Sequence, residues 1–494
     1  MAGVKRNLTS ANGLPKTKKT KTIATPVNEN EIPYYRSINL SQENPLKVYT
    51  FGSGSMCELG YGPLAKNKEI KRPRLNVYLE NLKVKSLVAG GMHSLVLTND
   101  NEIYSWGTND MYVLGRDTVT NAKLSLKDAD APAAEESEDD DDGDLNDLES
   151  TPGKVENLPE NNGEIVQIGA TDNLSIVLYE NGDVYAWGTF RNNEGVLGFY
   201  KDEIKIQQKP WKLPLTFLKN KQAKIAQIAT GKDHILLLDS FGVLYAWGTY
   251  QQGQLARKIM DHHALANLYP QPIIFKSRTR VQVKAVFTGE NHSFAITHNN
   301  DLFAWGLNQF GQCGTNKDLE DGGLIYTPKK VLLPNDVNPS SDIKLIAAGE
   351  HHSLILLSNG KILTFGRRDM FEIGLTTEQV PEENAYLDPI TKKIRSVPVP
   401  TFIPSDVVFN NVAAGSHHSL ATTNKGLLYT WGFGETYALG LGPAGEDVEV
   451  PTKVMNTAIK EVRITTISAG GQFSIAGGYD LTEEEIKKRE DEEE

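Results

Sequence analysis

The apolar positions of this chain fall in runs of five or six residues, rich in Val, Ile, Leu, Tyr and Trp, separated by turn signals such as Asn181-Gly182 and Asn359-Gly360. Short runs bounded by Asn-Gly or Asn-Asp pairs predict antiparallel strands joined by tight hairpins. Inside the units no stretch holds the 3.6-residue period that an α-solenoid needs. The runs are also ordered. A Gly-x-x-His-Ser opening leads into an apolar strand, a turn, a second strand and a Trp-Gly close. It reads AGGMHSLVLTNDNEIYSWG from Ala89, TGENHSFAITHNNDLFAWG from Thr288, AGEHHSLILLSNGKILTFG from Ala348 and AGSHHSLATTNKGLLYTWG from Ala414.

The aromatic-Gly close recurs seven times, at Gly52, Gly107, Gly188, Gly248, Gly306, Gly366 and Gly432. The opening recurs at Gly90, Gly231, Gly289, Gly349, Gly415 and Gly470, with Thr171 in the matching place of the remaining copy. Units of about 60 residues hold four strands and their loops, so the predicted fold is all-β, a seven-bladed β-propeller. The two series are half a unit out of phase. The last opening, SAGGQFSIAGG from Ser468, has no close after it, and the first close, VYTFGSGSMCELG from Val48, has no opening before it. A ring in which N-terminal strands complete the C-terminal blade resolves both deficits and leaves no bare sheet edge. On this reading the repeated Trp packs between blades, the Gly serves close approach, and His93, His234, His292, His352 and His418 are mainly structural, satisfied by backbone in the blade core.

Charge divides the chain further. The net charge is −12, but residues 135–149 alone carry ten carboxylates and no base, and residues 480–494 carry nine acids against three bases. The N-terminal arm holds Lys5, Arg6, Lys16, Lys18, Lys19 and Lys21 against Glu29. With these segments set aside, the remaining chain is within about one charge of neutral. Blocks of like charge repel and bury little, which predicts disorder. The expected organisation is a disordered basic arm over residues 1–44, a propeller over 45–480 with an acidic disordered insertion at about 128–150, and a charged tail over 481–494.

Two cysteines give no disulfide framework and fit a reducing compartment. No apolar run has spanning length and the N-terminus is polar and basic, so a soluble intracellular protein without membrane contact is expected. Enzyme signatures are absent: there is no GxxxxGK[ST], HExxH, CxxC pair or GxSxG. His262-His263 lack matching metal ligands nearby. No cofactor, metal or covalent chemistry is expected.

The seven-copy phrase, with its half-unit offset, resembles the regulator of chromosome condensation family over about residues 45–480. MCELGYGPLAKNKEIKRPRLN from Met56, DGDLNDLESTP ending at Pro152, WGTFRNNEGVLGFY from Trp187 and WGFGETYALGLGP from Trp431 are similar to the family's fungal members. Its founding member is the nuclear guanine nucleotide exchange factor for the small GTPase Ran. The resemblance therefore implies a Ran exchange factor working on chromatin in the nucleus, supporting nucleocytoplasmic transport and mitotic organisation.

Site residues follow from copies that break the phrase. One opening reads GATDNLS, with Asp172 and with Leu174 in place of His; another reads TGKDHIL, with Asp233 beside His234; a third doubles the histidine as His351-His352. In the family, acidic and His residues at these openings line the GTPase-binding face, which makes Asp172, Asp233 and His351 or His352 the implied exchange residues. The segment after Gly188 is longer than its counterparts. In the family this extension is a β-wedge against the GTPase, matched here by Phe190, Arg191, Asn192, Asn193, Glu194 and Gly195. Arg257 stands where the family has an Arg that contacts Ran. Phe473 replaces the His of the animal factor, so no role transfers there. The basic arm, with KTKK at Lys16–Lys19, has three readings: contact with a nuclear import receptor, DNA phosphate contact, or a solvated tail. Lys276, Arg278 and Arg280 are candidates for nucleosome contact. The competing function is a chromatin- or protein-binding propeller scaffold without exchange activity.

Overall fold

The computed structural model describes residues 44–119, 144–277, 280–315 and 323–493. The basic arm, most of the acidic insertion and Arg278 lie outside the described residues, which all belong to the unit Tyr34–Glu494.

The first blade shows how the phrase becomes structure. Its inner strand Val84–Ala89 turns through Gly90-Gly91-Met92 into His93–Thr98, a tight turn leads to Ile103–Gly107, and a longer connection reaches the outer strand Gly153–Lys154. His93 pairs across from Gly107, so the opening and the close of each phrase meet at one end of the sheet. The same register recurs at His234 and Gly248, His292 and Gly306, His352 and Gly366, and His418 and Gly432. All openings, and the segments that follow the closes, therefore share one face of the ring. The Asn-Gly-type turns lie on the opposite face.

Seven such antiparallel sheets are present among the described residues. The seventh closes the ring. Lys47–Ser53 lies between Phe473–Asp480 and Glu69–Leu75, pairing Lys47 with Gly478 and Gly52 with Phe473. The expected all-β propeller closed by N-terminal strands is the observed fold.

The repeated side chains stitch neighbouring blades together. Trp106, Trp187, Trp247, Trp305 and Trp431 are fully buried. Each indole N–H donates to a carbonyl of the preceding blade: Glu58, Val113, Phe199, Gln254 and Glu372 respectively. The histidines also cross between blades, rather than bonding backbone as expected. His93 Nε2 lies 2.8 Å from Ser175 Oγ of the next blade, and that hydroxyl donates to the Val113 carbonyl at 2.8 Å. His352–Ser419–Glu372 and His418–Ser474–Ala438 repeat the relay. Because the serine spends its only proton on the carbonyl, the imidazole must donate, which places the histidine proton on Nε2. Burial pushes His93, His234, His292 and His418 down to about 3, so they are neutral. The opening glycine is required by this packing: a Cβ at Gly231 would lie 2.1 Å from His234 Cε1.

Two charged segments are more ordered than their composition implies. Asn146 caps a short helix, Asp147–Ser150, so the last residues of the acidic insertion are part of the fold. The C-terminal segment forms a helix, Glu483–Glu493. Thr482 and Glu485 cap it reciprocally, Glu485 pairs with Arg463 at 3.0 Å, and Arg489 donates to the carbonyls of Lys460, Val462 and Lys425. Three glutamates in its first turn also suit the positive end of the helix dipole. These local bonds outweigh the self-repulsion expected of the tail. No helix among the described residues is long and apolar enough to cross a membrane.

Candidate functional site

At each opening, the residue after the repeated glycine (or Thr171) faces the ring axis, and the turns are linked to one another by backbone. Asp172 N donates to Lys232 O at 3.0 Å, Lys232 N to Glu290 O at 2.8 Å, and Gly471 N to Gly91 O at 3.1 Å. The side chains of Asp172, Lys232, Glu290 and Ser416 at this position line the mouth of a central cavity of about 240 Å³. Lys232 Nζ lies 3.4 Å from Glu290 and 3.7 Å from Asp172, while Ser416 donates across the axis to Glu290. Burial, then Glu290, lifts the Asp172 carboxyl up to about 7 against the pull of Lys232. Burial works against the Lys232 ammonium, yet Glu290 and Asp172 outweigh it and hold its pKa above the usual lysine value.

Beside this mouth stands a two-stranded hairpin, Phe190–Asn192 paired with Gly195–Gly198, outside the seven blades. Its root is hydrophobic: the fully buried Phe190 ring meets Trp247 edge-on at 4.9 Å. Its tip is polar. Asn193 N donates to Gln251 Oε1 of the next blade at 2.9 Å, and Glu194 N donates to Asn192 Oδ1 at 3.0 Å. Gly195 takes φ +118°, a conformation that other residues rarely adopt. Asp233 joins hairpin and mouth. Its carboxylate accepts from Arg191 N at 2.8 Å and from Asn173 Nδ2 at 3.5 Å. Burial raises Asp233 to about 6 against these bonds. A cleft of about 410 Å³ between hairpin and openings is lined by Asp172, Arg191, Asn193, Asp233, Gln251 and Met92, among others.

The structure thus brings Asp172, Asp233 and the tip residues Arg191, Asn192, Asn193, Glu194 and Gly195 to one place. It separates others from it. His352 is fully buried in the blade relay and offers no atom to a partner, whereas His351 sits at the rim, its ring tilted against Phe310 at 4.8 Å and its pKa lowered to about 4 by burial and then by Arg367. Phe190 anchors the hairpin and is not a surface contact. The Arg257 guanidinium turns inward to the carbonyls of Leu255 and Ala246 at 3.4 and 3.5 Å, as Arg116 does to the Ser105 carbonyl at 2.9 Å in the first blade. Lys5, Arg6, Lys16, Lys18, Lys19 and Lys21 lie outside the described residues. Lys276 and Arg280 are exposed on the opposite face.

Sequence reasoning missed Lys232, Glu290, Glu350 and Ser416, whose signal was their shared register, the position after the repeated glycine. It also missed a cluster on the fifth and sixth blades. There Arg367 pairs with the buried Glu372 at 2.6 Å and donates to His417 Nδ1 at 2.8 Å.

These features define a class: a seven-bladed propeller that presents a polar platform around its axis with one hairpin standing beside it. A family model described as the RCC1-like domain matches residues 47–476, and the chain belongs to that family. It is 51% identical over 464 residues to guanine nucleotide exchange factor SRM1 of Saccharomyces cerevisiae, covering 93% of this chain and 92% of that protein. Protein RCC1 of Candida albicans is 46% identical, over 92% and 96% of the two chains. Among solved structures, the crystal structure of Prp20p from Saccharomyces cerevisiae, studied with its binding to Gsp1p and histones, matches with TM-score 0.80 and 48% identity, covering 92% of this chain and 96% of that one. Yeast RCC1 (Prp20) with bound Kap60 matches with TM-score 0.84 and 46% identity, over 97% and 99%.

Proposed function

We infer that this protein is a guanine nucleotide exchange factor for the small GTPase Ran, working on chromatin in the nucleus. The observation that carries the reading is the near full-length identity to a named exchange factor, together with a structured hairpin beside the acidic mouth. Binding of one close relative, yeast Prp20, to Gsp1p and histones and to Kap60 supports Ran, chromatin and an import receptor as the partners, the last through the basic arm.

A GTPase clamps its nucleotide through backbone amides, a lysine and Mg²⁺, so release is slow unless that clamp is deformed. A factor that binds the nucleotide-free form more tightly must, by linkage, weaken nucleotide binding by the same factor. In the proposed division of labour, the tip Arg191–Gly195 presses on the phosphate loop while Asp172 and His351 engage GTPase groups uncovered as phosphate and Mg²⁺ leave. Asp233 has a holding role here, since its carboxylate accepts the Arg191 amide and fixes the hairpin to the mouth. On this reading the blade scaffold need not move, and the platform acts preorganised. No bond is made or broken, and the more abundant nucleotide refills the site.

The test is release of a fluorescent GDP analogue from Ran and from one unrelated GTPase. Asp233→Ala, or removal of Arg191 to Glu194, is expected to abolish acceleration on Ran while the circular dichroism stays that of a folded propeller. Undiminished release with both variants would leave the chain a scaffold without exchange activity.

A further inference from the structure

We infer that Gly91 is a positioning residue for Asp172, its missing side chain being the space in which that carboxylate sits. The inference rests on the exchange role proposed for Asp172.

The opening turns offer seven places for a side chain beside the axis, and the seventh and first blades leave theirs empty, with Gly471 after Gly470 and Gly91 after the repeated Gly90. The neighbouring blade leans into that gap. A Cβ built on Gly91 would lie 2.1 Å from Asp172 Oδ1 and 2.5 Å from its Cγ, far inside van der Waals contact. Gly90 differs, because its Cβ would meet the Thr171 carbonyl oxygen at 2.1 Å, a main-chain obstacle. Gly91 is also free of the positive φ that would make any substitution strained. What a methyl group meets there is therefore the carboxylate itself.

That carboxylate has little freedom to yield while keeping its place. The Asp172 main chain is held by its N–H on the Lys232 carbonyl at 3.0 Å, and Lys232 stands 3.7 Å away on the other side, between Asp172 and Glu290. An alanine at 91 must rotate the carboxylate out of line, toward Lys232 and Glu290 or into solvent. Rotation of one short side chain at a partly open mouth leaves the blade core intact. The expected signature is lost exchange in a protein that still folds.

The experiment is a double-mutant cycle on nucleotide release from Ran, with the full-length chain and thermal unfolding followed in parallel. Asp172→Ala is expected to lower kcat/KM for release by about tenfold or more, and Gly91→Ala by about fivefold or more. The double variant should be no slower than Asp172→Ala, because with the carboxylate gone the methyl group has nothing left to displace. Losses that multiply in the double variant overturn the inference, as does a Gly91→Ala protein that keeps its full rate while Asp172→Ala is impaired. If Gly91→Ala does not fold, recovery of folding in the double variant supports the steric account, and failure to recover overturns it. Full activity of Asp172→Ala would instead overturn the exchange assignment of Asp172, on which the inference rests.

Discussion

Four segments that follow the closes carry the same small device, a side-chain oxygen accepting the main-chain N–H two residues earlier, and the choice of residue sets its response to pH. Gln254 and Gln312 accept from Gln252 and Phe310 at 2.8 and 3.0 Å, while Glu58 and Glu372 accept from Met56 and Met370 at 2.7 and 3.1 Å. Burial pushes both glutamates up to about 7. Glu372 has Arg367 as its counter-charge, and Glu58 has no ion pair of this kind among the described residues. For Glu58 the folded state holds its proton to higher pH than the unfolded state. Stability therefore falls as pH rises from about 4.5 through about 7 and is level above that. Glu58→Gln is expected to be neutral at pH 4 and to raise Tm by about 2–4 °C at pH 8, read by calorimetry at both. Glu372→Gln should do the reverse at pH 8, costing about 3 kcal/mol in denaturant titration because it leaves Arg367 charged and its buried partner gone. The residue types are plain in MCELG and MFEIG. Which of the two has a cation follows from the rotamer of Arg367, five residues earlier on the chain and across a turn.

At the scale of the element, the hairpin Phe190–Gly198 is the part of the chain most directly tied to the proposed activity. Its length was readable by counting residues from Gly188 to the next Leu-Gly. Its construction was not, since the root ring is seated by Trp247 of the neighbouring blade and the tip by Gln251 of the same neighbour. Phe190→Ala should cost about 3 kcal/mol in guanidinium unfolding and also slow nucleotide release, because the tip loses its fixed base. A stability loss with release unchanged would show that the hairpin does not act on the GTPase. The same reasoning explains the misplaced candidates. Phe190 and His352 stand next to surface residues in sequence, but strand alternation turns their side chains into the blade. Arg257 follows a positive-φ residue, Ala256, which redirects the chain and points its guanidinium at blade carbonyls.

At the scale of the molecule, closure depends on strands from opposite ends of the chain. Phe51, fully buried on Lys47–Ser53, packs over Gly440 of the sixth blade, where an added Cβ would come within 2.7 Å of its ring. Phe51→Ala is expected to cost about 3–5 kcal/mol. It should also raise amide hydrogen exchange across Phe473–Asp480, the strand that pairs with Lys47–Ser53. Slowed or unchanged exchange there would mean that the ring is not held shut at this seam. The ring also explains why an acidic chain can present a mixed platform: the strongest charge blocks lie at the ends and in one insertion, and the blade openings carry their own small set of charges.

By itself, the sequence determined the seven blades, their half-unit offset and the closing strands. These depend on short apolar runs bounded by turn signals and on a repeated phrase, both local properties that every copy states again. It also marked the copies that depart from the phrase, and so Asp172, Asp233 and the lengthened segment. Only the tertiary structure decided which of these atoms meet. The seat of Asp172 over Gly91, the hold of Asp233 on the Arg191 amide and the burial of His352 are contacts between blades. They depend on side-chain direction and on the close approach of backbones dozens of residues apart, which the order of residues along the chain does not encode in any local pattern.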